Sequence, residues 1–458
     1  MSTITLTTNS RELRRTCKGA VFLPGDEGWD AARQAWNLAV DQRPAAVVYA
    51  VDEDDVVAVV DTARKAGLRV APQGTGHNAG PLGSLEDSVL LRTSSMRGVE
   101  VDPQRRRARV RAGALWQDVV GPAARYGLAP LSGSSPDVGV VGYSLGGGIG
   151  WLARRYGLQA NSITAVELVT TEGALVRADR DHEPDLFWAL RGGGGNFGVV
   201  TALEFSLYPV ALVQAGAMVW DWTESERVLA RWSEWAATAP DEVTTSARIR
   251  QLPPFPQIPA ALRGRKIVMI DGAYDGGAWE AEEALRPLAE LGPEINSFAT
   301  MPATALIRLH GDPEQPVPAV SDHAMLAELP SEAVEALVEV AGPGSGSPLM
   351  GVELRQLGGA LARMPAEHGA LPKLDAAFGL FCVGMAGDPA SAAAGRAHAQ
   401  RVTTAMVPWA TGGAYLNNCE APIDPARAYA PGVHERLRAI RAQVDPAALV
   451  HANHQIVT

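Results

Sequence analysis

Cysteine is scarce in this chain, positive charge falls short of negative, and no long apolar run occurs. Three cysteines, Cys17, Cys382 and Cys419, stand in 458 residues. An odd count without metal-ligand spacing argues against a disulfide framework and a cysteine metal site, and fits reduced thiols in a cytosolic compartment. Lys plus Arg number 40 against 51 Asp plus Glu, a net charge of -11. Such a surface repels a phosphate backbone, so neither nucleic acid nor an anionic membrane is an expected partner. No stretch is long and apolar enough to span a bilayer. The opening "MSTITLTTNSRELRRTCKG" lacks the apolar core of a secretion signal. No Walker A pattern is present.

What the chain does have is the make-up of a globular protein, 47% apolar and 20% charged, with a length that favours two domains. "EGWDAARQAWNLAV" spaces Trp29, Ala32, Trp36 and Val40 as on a helix over 27–40. A short apolar strand follows from Ala46. "DEDDVVAVVDTARKAG" then places acids in its first turn, Arg64 and Lys65 in its last and Gly67 at its end, the charge order a helix dipole favours. "LRVAP" is a second strand, and it runs into "QGTGHNAG". "GVEVDPQRRRARVRAG" and "SITAVELVTTEGALVRAD" read as hairpins, the arginines of the first on a solvated turn. "ALWQDVVGPAARYG" is an amphipathic helix. Residues 185–210 read as helix, glycine loop and strand. Residues 211–404 mix strands with Ala/Glu-rich helices, as in an α+β domain on an antiparallel sheet. The final fifty residues return to glycine-rich loops and a short helix.

Three glycine signals compete. Gly193-x-Gly195-x-x-Gly198 matches the dinucleotide fingerprint formally, but it lies after a helix and before a strand, the inverse of what the fingerprint needs. Gly142-Tyr143-Ser144-Leu145-Gly146 matches a nucleophile elbow, with "PDVGVV" as the strand before it and Asp445 and His451 in triad order. An α/β-hydrolase with Ser144 as nucleophile is therefore an alternative, weakened by the poor helix start at Gly146–Gly148 and by strands that come in hairpins. The third signal is the whole set of loops, at 74–77, 139–150 and 192–198. Backbone N–H groups in such loops form anion nests suited to a diphosphate.

The stretches "PQGTGHN", "PDVGVVGYSLGGGIGWLARRYGLQANSI", "PDLFWALRGGGGNFGVVTALEF", "YLNN" and "VDPAALVHANHQI" together resemble the FAD-linked oxidases of the vanillyl-alcohol-oxidase type. The nearest resemblance is to the berberine-bridge-enzyme-like and hydroxynicotine-oxidase-like group. It implies an α+β, two-domain PCMH-type FAD-binding fold with an antiparallel-sheet substrate domain. Residues 1–210 and 405–458 would form the FAD domain and 211–404 the substrate domain. The loop Gln73, Gly74, Thr75, Gly76, His77 and Asn78 would wrap the diphosphate. His77 would bond covalently to the flavin 8α-methyl, since a neutral imidazole nitrogen is nucleophilic. Val138, Gly139, Gly142, Tyr143, Gly147 and Gly150 would line the cofactor, Val200 would meet it through its backbone, and Tyr415, Asn417 and Asn453 would reach it from the C-terminal segment.

The sequence departs from the family twice. Ser135 stands where many members carry a second, cysteine link, so a single attachment is expected. Gln73 stands where relatives often have arginine, which removes a charge from the phosphate loop. The β-branched Val138 goes with oxygen access in this family. The implied activity is an oxidase that takes hydride from a C–H next to O or N of a small molecule, with O2 as acceptor. A flavin-dependent oxygenase or cyclase of secondary metabolism is a sibling alternative. The expected protein is a cytoplasmic monomer or homodimer. Candidate bases are Tyr415 and Glu353, the latter sharing a strand face with Arg355. His310 and His323 flank the irregular loop "HGDPEQPVPAVSD", either at an entrance or on plain surface. Met218, Trp220 and Trp222 alternate as domain core or as an apolar substrate wall. His451 and His454 lack a third ligand, so no metal is expected.

Overall fold

A computed structural model describes residues 12–256 and 258–457 of the chain. The N-terminal stretch through residue 11, which includes most of the part read for a secretion signal, lies outside the described residues.

Three sheets organise the described residues. The first has the order β1-β2-β4-β3, formed by Val21–Phe22, Ala46–Tyr49, Ser88–Arg92 and Arg69–Gln73. Its β2–β4 and β3–β4 pairs are parallel. The crossover helix between β2 and β3 is the long one read from sequence, Glu53–Ala66. Asp52 caps its N-terminus on the Asp55 N–H, and Gly67 closes it at φ 64, a left-handed conformation suited to glycine. The short helix α1 covers Trp29–Arg33, and the crossover helix is α2.

The second sheet, β5-β6-β9-β7-β8, is antiparallel. Its hairpins Val99–Asp102 with Arg107–Arg111, and Ile163–Val169 with Leu175–Asp179, are those expected from the alternating sequence, and β9 spans Val199–Ser206. Helix α3 (Trp116–Ala124) packs its Trp116, Val119 and Ala123 into the core beneath this sheet. Residues 140–145 form α4, and Pro184–Leu190 forms α5.

The third sheet takes β10 (Leu212–Asp221), β11 (Val243–Gln251), β12 (Lys266–Tyr274), β13 (Ile295–Asn296), β14 (Ala299–Pro302), β15 (Ala319–Leu326), β16 (Gly351–Gln356) and β17 (Phe378–Met385), all antiparallel. Side chains alternate across it. Ala247, Ile249, Val268, Ile270, Leu354 and Leu380 meet α6 (Ser225–Ala236), α7 (Ala278–Ala289), α8 (Ser331–Ala341) and α9 (Pro389–Ala405) in one core. Each fully buried Val, Ile or Leu side chain among them contributes about 1.5–3 kcal/mol. Met218 and Trp220 belong to that core, and Trp222 lies beyond the strand in a short 3-10 turn. Of the two readings of this triplet, domain core is the one that holds. The opposite face carries Ser246, Arg248, Asp271, Glu353 and Arg355.

The chain ends by returning to its start. After α10 (Val433–Val444), Val70 exchanges backbone bonds with Leu449 and His451, both at 2.8 Å. Asn196 in the 192–198 loop holds the tail through the His454 carbonyl and the Ile456 N–H, each at 3.0 Å.

Two sequence expectations fail locally. The helix expected over 27–40 stops at Arg33, because Trp36 and Asn37 give their N–H groups to the Thr75 and Gly76 carbonyls at 3.1 and 3.5 Å. "PDVGVV" is not a strand. Val140 and Val141 open α4, after the Val138 carbonyl and Val140 N–H have paired with Trp116 and Ala114.

Candidate functional site

His77 sits in the loop that leaves β3. Gly76 turns there at φ +88, and an added Cβ would stand 3.0 Å from the Ala35 Cβ and from Gln73 Oε1. Only glycine fits comfortably. The Trp36 indole stacks on the imidazole, with centroids 4.1 Å apart and planes 19° from parallel. Its N–H donates to Asp137 Oδ2 at 2.6 Å, and the Ser135 hydroxyl donates to Asp137 Oδ1 at 2.8 Å. Burial works against the Asp137 charge, yet His77, Ser135 and Trp36 hold its pKa below the ordinary carboxylate value. His77 Nδ1 shares a hydrogen bond with Thr75 Oγ1 at 2.7 Å. Its Nε2 is buried, 3.6 Å from Asp137 Oδ1, and has no hydrogen-bond partner among the described residues. Trp36 and Asp137 thus join the predicted loop. The indole escaped notice as a helix-spaced core residue, whereas Asp137 lay inside the quoted second motif.

Beside this loop opens a cavity of about 260 Å³ lined by Gly74, Thr75, Arg92, Gly113, Asp137 and Gly139, among others. A second cluster forms around the glycines that follow α4. The Tyr415 hydroxyl accepts the Gly148 N–H at 2.8 Å and the Asn417 amide at 3.1 Å. Asn417 also donates to the Tyr143 carbonyl at 3.0 Å. Tyr143 is half-buried edge-on to Trp116 and donates to the Leu131 carbonyl at 3.3 Å. Gly147 lies under the Tyr415 ring. Gly150 leaves no room for a Cβ, which would sit 1.9 Å from the Ser132 carbonyl oxygen. Val138 is half-buried at the edge of the core, and Val200 is buried in β9. Asn78 reaches the same C-terminal segment, donating to the Leu416 carbonyl at 3.1 Å. Asn453 turns its side-chain oxygen back onto the His454 N–H at 3.0 Å.

These residues fit a flavin nucleotide. His77 Nε2, Asn78 Oδ1 and His454 Nδ1 are buried atoms left without partners. Gly142 and Gly195 face open space, with nothing within 4 Å of an added Cβ. Polar atoms left dry are costly unless a ligand meets them.

The polar face of the third sheet forms a charged wall. His310 is buried, not a surface residue, at 6% exposure. Its Nδ1 meets Asp271 Oδ2 at 2.9 Å and its Nε2 meets Glu353 Oε2 at 3.1 Å. Both ring nitrogens face carboxylates, the arrangement of an imidazolium. Desolvation and Arg248 oppose that charge, but Asp312, Glu353 and Asp271 raise the pKa on balance. Arg355 donates its Nε–H to Glu353 Oε1 at 2.7 Å, and Arg248 pairs with Asp271 at 2.5 Å. Against burial, Arg355 and His310 hold Glu353 well below its usual pKa. Trp151, next to Gly150, lies 5.6 Å from the His310 ring and 5.5 Å from the Arg355 guanidinium. The Arg355 charge is felt by both Tyr143 and Tyr415, linking the wall to the glycine cluster. Burial nonetheless raises the Tyr415 pKa. His323 is half-buried beside Cys419 Sγ at 3.3 Å, and burial lowers its pKa to about 4.

The hydrolase arrangement is absent. Ser144 Oγ is buried with no partner, inside α4 rather than on an elbow. His451 pairs with Ser88 Oγ at 2.9 Å, and Asp445 accepts the Leu449 and Val450 N–H groups at 2.7 and 3.0 Å. No group of three potential metal ligands occurs among the described residues, nor any helix long and apolar enough to cross a membrane.

A family model described as an FAD binding domain matches residues 44–179. (R)-6-hydroxynicotine oxidase of Paenarthrobacter nicotinovorans is 36% identical over 210 residues, 46% of this chain and 46% of that protein. The chain thus spans about half the length of that relative in the alignment. The FAD-linked oxidoreductase YvdP of Bacillus subtilis is 28% identical over 450 residues, covering 93% of this chain and 95% of that one. Among solved structures, 6-hydroxy-D-nicotine oxidase from Arthrobacter nicotinovorans superimposes with a TM-score of 0.82 at 26% identity, over 96% of this chain and 98% of that chain. The BBE-like 1 protein of Physcomitrella patens shares the fold, with a TM-score of 0.85 at 20% identity over 98% of both chains.

Proposed function

We propose that the chain is an FAD-linked oxidase of the vanillyl-alcohol-oxidase type, a reading supported by its FAD-binding-domain match and its hydroxynicotine-oxidase relative, and that its FAD is bonded to His77. One observation carries this reading. A ring nitrogen lies buried and unpartnered in a glycine loop of the FAD-binding domain, and a tryptophan stack fixes its plane. Thr75 on Nδ1 sets the ring rotation and leaves Nε2 as the nitrogen free of hydrogen bonds. Ser135 is committed to Asp137 and is a hydroxyl, so attachment is single.

When bound, the flavin supplies a hydride acceptor for a C–H next to O or N and passes the electrons to O2 as peroxide. The chain's own residues handle the proton and the fit. Tyr415 takes the proton that leaves the substrate oxygen or nitrogen, and to do so it must enter the step as a phenolate. The Gly148 N–H and the Asn417 amide both donate to its oxygen and favour that ionised form, against the burial that raises its pKa. Glu353 is a poor base, because two cations hold it ionised. It positions Arg355 and His310 against the substrate instead. The glycine-rich backbone and Trp151 exclude water from the same space.

Stopped-flow reoxidation tests the oxidase reading. Photoreduced enzyme mixed with aerated buffer is expected to return to the oxidised spectrum with one peroxide per flavin. Reduced flavin that persists in air yet passes electrons to a quinone would make the protein a dehydrogenase.

A further inference from the structure

The phosphate loop lacks a cation of its own, since Gln73 is neutral. A diphosphate entering it carries negative charge that the loop's N–H groups meet only in part. The cavity beside Gly74 and Thr75 has two cations in its lining, Arg92 from the end of β4 and Arg97. Arg97 is exposed and leans on the Ser94 carbonyl at 3.2 Å. Arg92 is different. It is 8% exposed and donates from Nη1 to Gln73 Oε1. Its Nε is buried without a partner. Its guanidinium lies 5.9 Å from the Tyr49 ring centroid, and no carboxylate pairs with it among the described residues.

A buried guanidinium without a counter-charge costs several kcal/mol. Another buried arginine offsets that cost with backbone carbonyls. Arg154, also buried, spends its donors on the carbonyls of Val243, Leu357, Ala239 and Pro240. Arg92 gives Nη1 to Gln73, has its charge favoured by Tyr49, and lines the cavity without a backbone carbonyl as partner among the described residues. Gln42 fixes this aim. Gln73 donates its amide to Gln42 Oε1 at 3.1 Å, which turns Gln73 Oε1 toward Arg92. An arginine at 73 would repel that guanidinium, whereas the glutamine accepts from it.

We propose that Arg92 is the cation that holds the diphosphate of FAD, supplied from β4 because position 73 does not supply one. This rests on the FAD reading above. The guanidinium fork suits two phosphate oxygens.

The test uses the full chain in a His77→Ala background, where binding is reversible. FAD and riboflavin are titrated against it with and without Arg92→Met or Arg92→Lys. FAD affinity is expected to fall roughly 10- to 100-fold with Arg92→Met and less with Arg92→Lys, while riboflavin affinity holds. Flavin-free Arg92→Met should melt no lower than its parent, since it loses an unpaired buried charge. FAD affinity within threefold of the parent, or equal losses for FAD and riboflavin, would overturn the assignment of Arg92 alone. In the native His77 chain, Arg92→Met should also lower the flavin-to-polypeptide ratio after purification, and an unchanged ratio counts against the role. Native protein that never carries FAD would instead overturn the functional reading on which the role rests.

Discussion

Asp271→Ala is expected to destabilise the protein by about 3–5 kcal/mol, read as a drop in the urea midpoint. Asp271 is fully buried and joins Arg248, His310 and the Ser246 hydroxyl. Removing it strands Arg248 in a dry sheet face and leaves His310 with Glu353 alone, which is worse than never having built the pair. The pH dependence follows from the shifts. The His310 pKa is raised from 6.5, so its stabilising charge is complete below 6.5 and is lost as pH rises through the raised value. The Asp271 pKa is lowered from 3.8 despite the desolvation that opposes it. Its contribution is present above 3.8 and is lost as pH falls through the depressed value. The wild-type midpoint should therefore decline on the alkaline side, and His310→Gln should flatten that decline. A midpoint for Asp271→Ala within about 1 kcal/mol of wild type would mean that the wall is hydrated and its charges are cheap.

Tyr415→Phe is expected to slow flavin reduction roughly 10²- to 10⁴-fold, the usual loss when a positioned acid or base is removed. The ring and its packing survive, so the flavin stays bound. The Gly148 N–H loses its acceptor, at about 1–3 kcal/mol of stability. Single-turnover reduction with a substrate found by peroxide screening separates these effects. If Tyr415 moves the proton, reoxidation by O2 keeps its wild-type rate while reduction collapses. Equal slowing of both halves would point to a displaced flavin instead, and unchanged reduction would remove Tyr415 from the chemistry.

Much of the fold was legible because its signals were local. The α2 caps, the two hairpins of the second sheet and the helix–glycine–strand of 184–206 each follow from neighbouring residues, and each appears where the sequence put it. The His77 loop could be read as a backbone turn, and the resemblance supplied its chemistry. What escaped was set by distant partners. Trp36 continues a helical spacing, but carbonyls of the His77 loop capture its backbone and turn its indole onto the imidazole. His310 stands in a stretch rich in proline and charge that reads as an entrance or as plain surface. Its partners are 39 and 43 residues away on two different strands, so nothing nearby marks it as buried. The Glu353–Arg355 pair was visible from alternation, whereas its third member was not. Ser144 shows the converse. Its five-residue motif matched in form only, and the fold puts its hydroxyl in a helix with no hydrogen-bond partner in reach among the described residues.

The most direct measurement is the mass of the denatured polypeptide, for the native chain and for His77→Ala. One flavin adduct per native chain is expected, mapped by proteolysis to the peptide that holds His77. His77→Ala should show the bare polypeptide mass, with all its flavin released on denaturation. A native chain with no adduct, or an adduct that survives in His77→Ala, would contradict attachment through this imidazole.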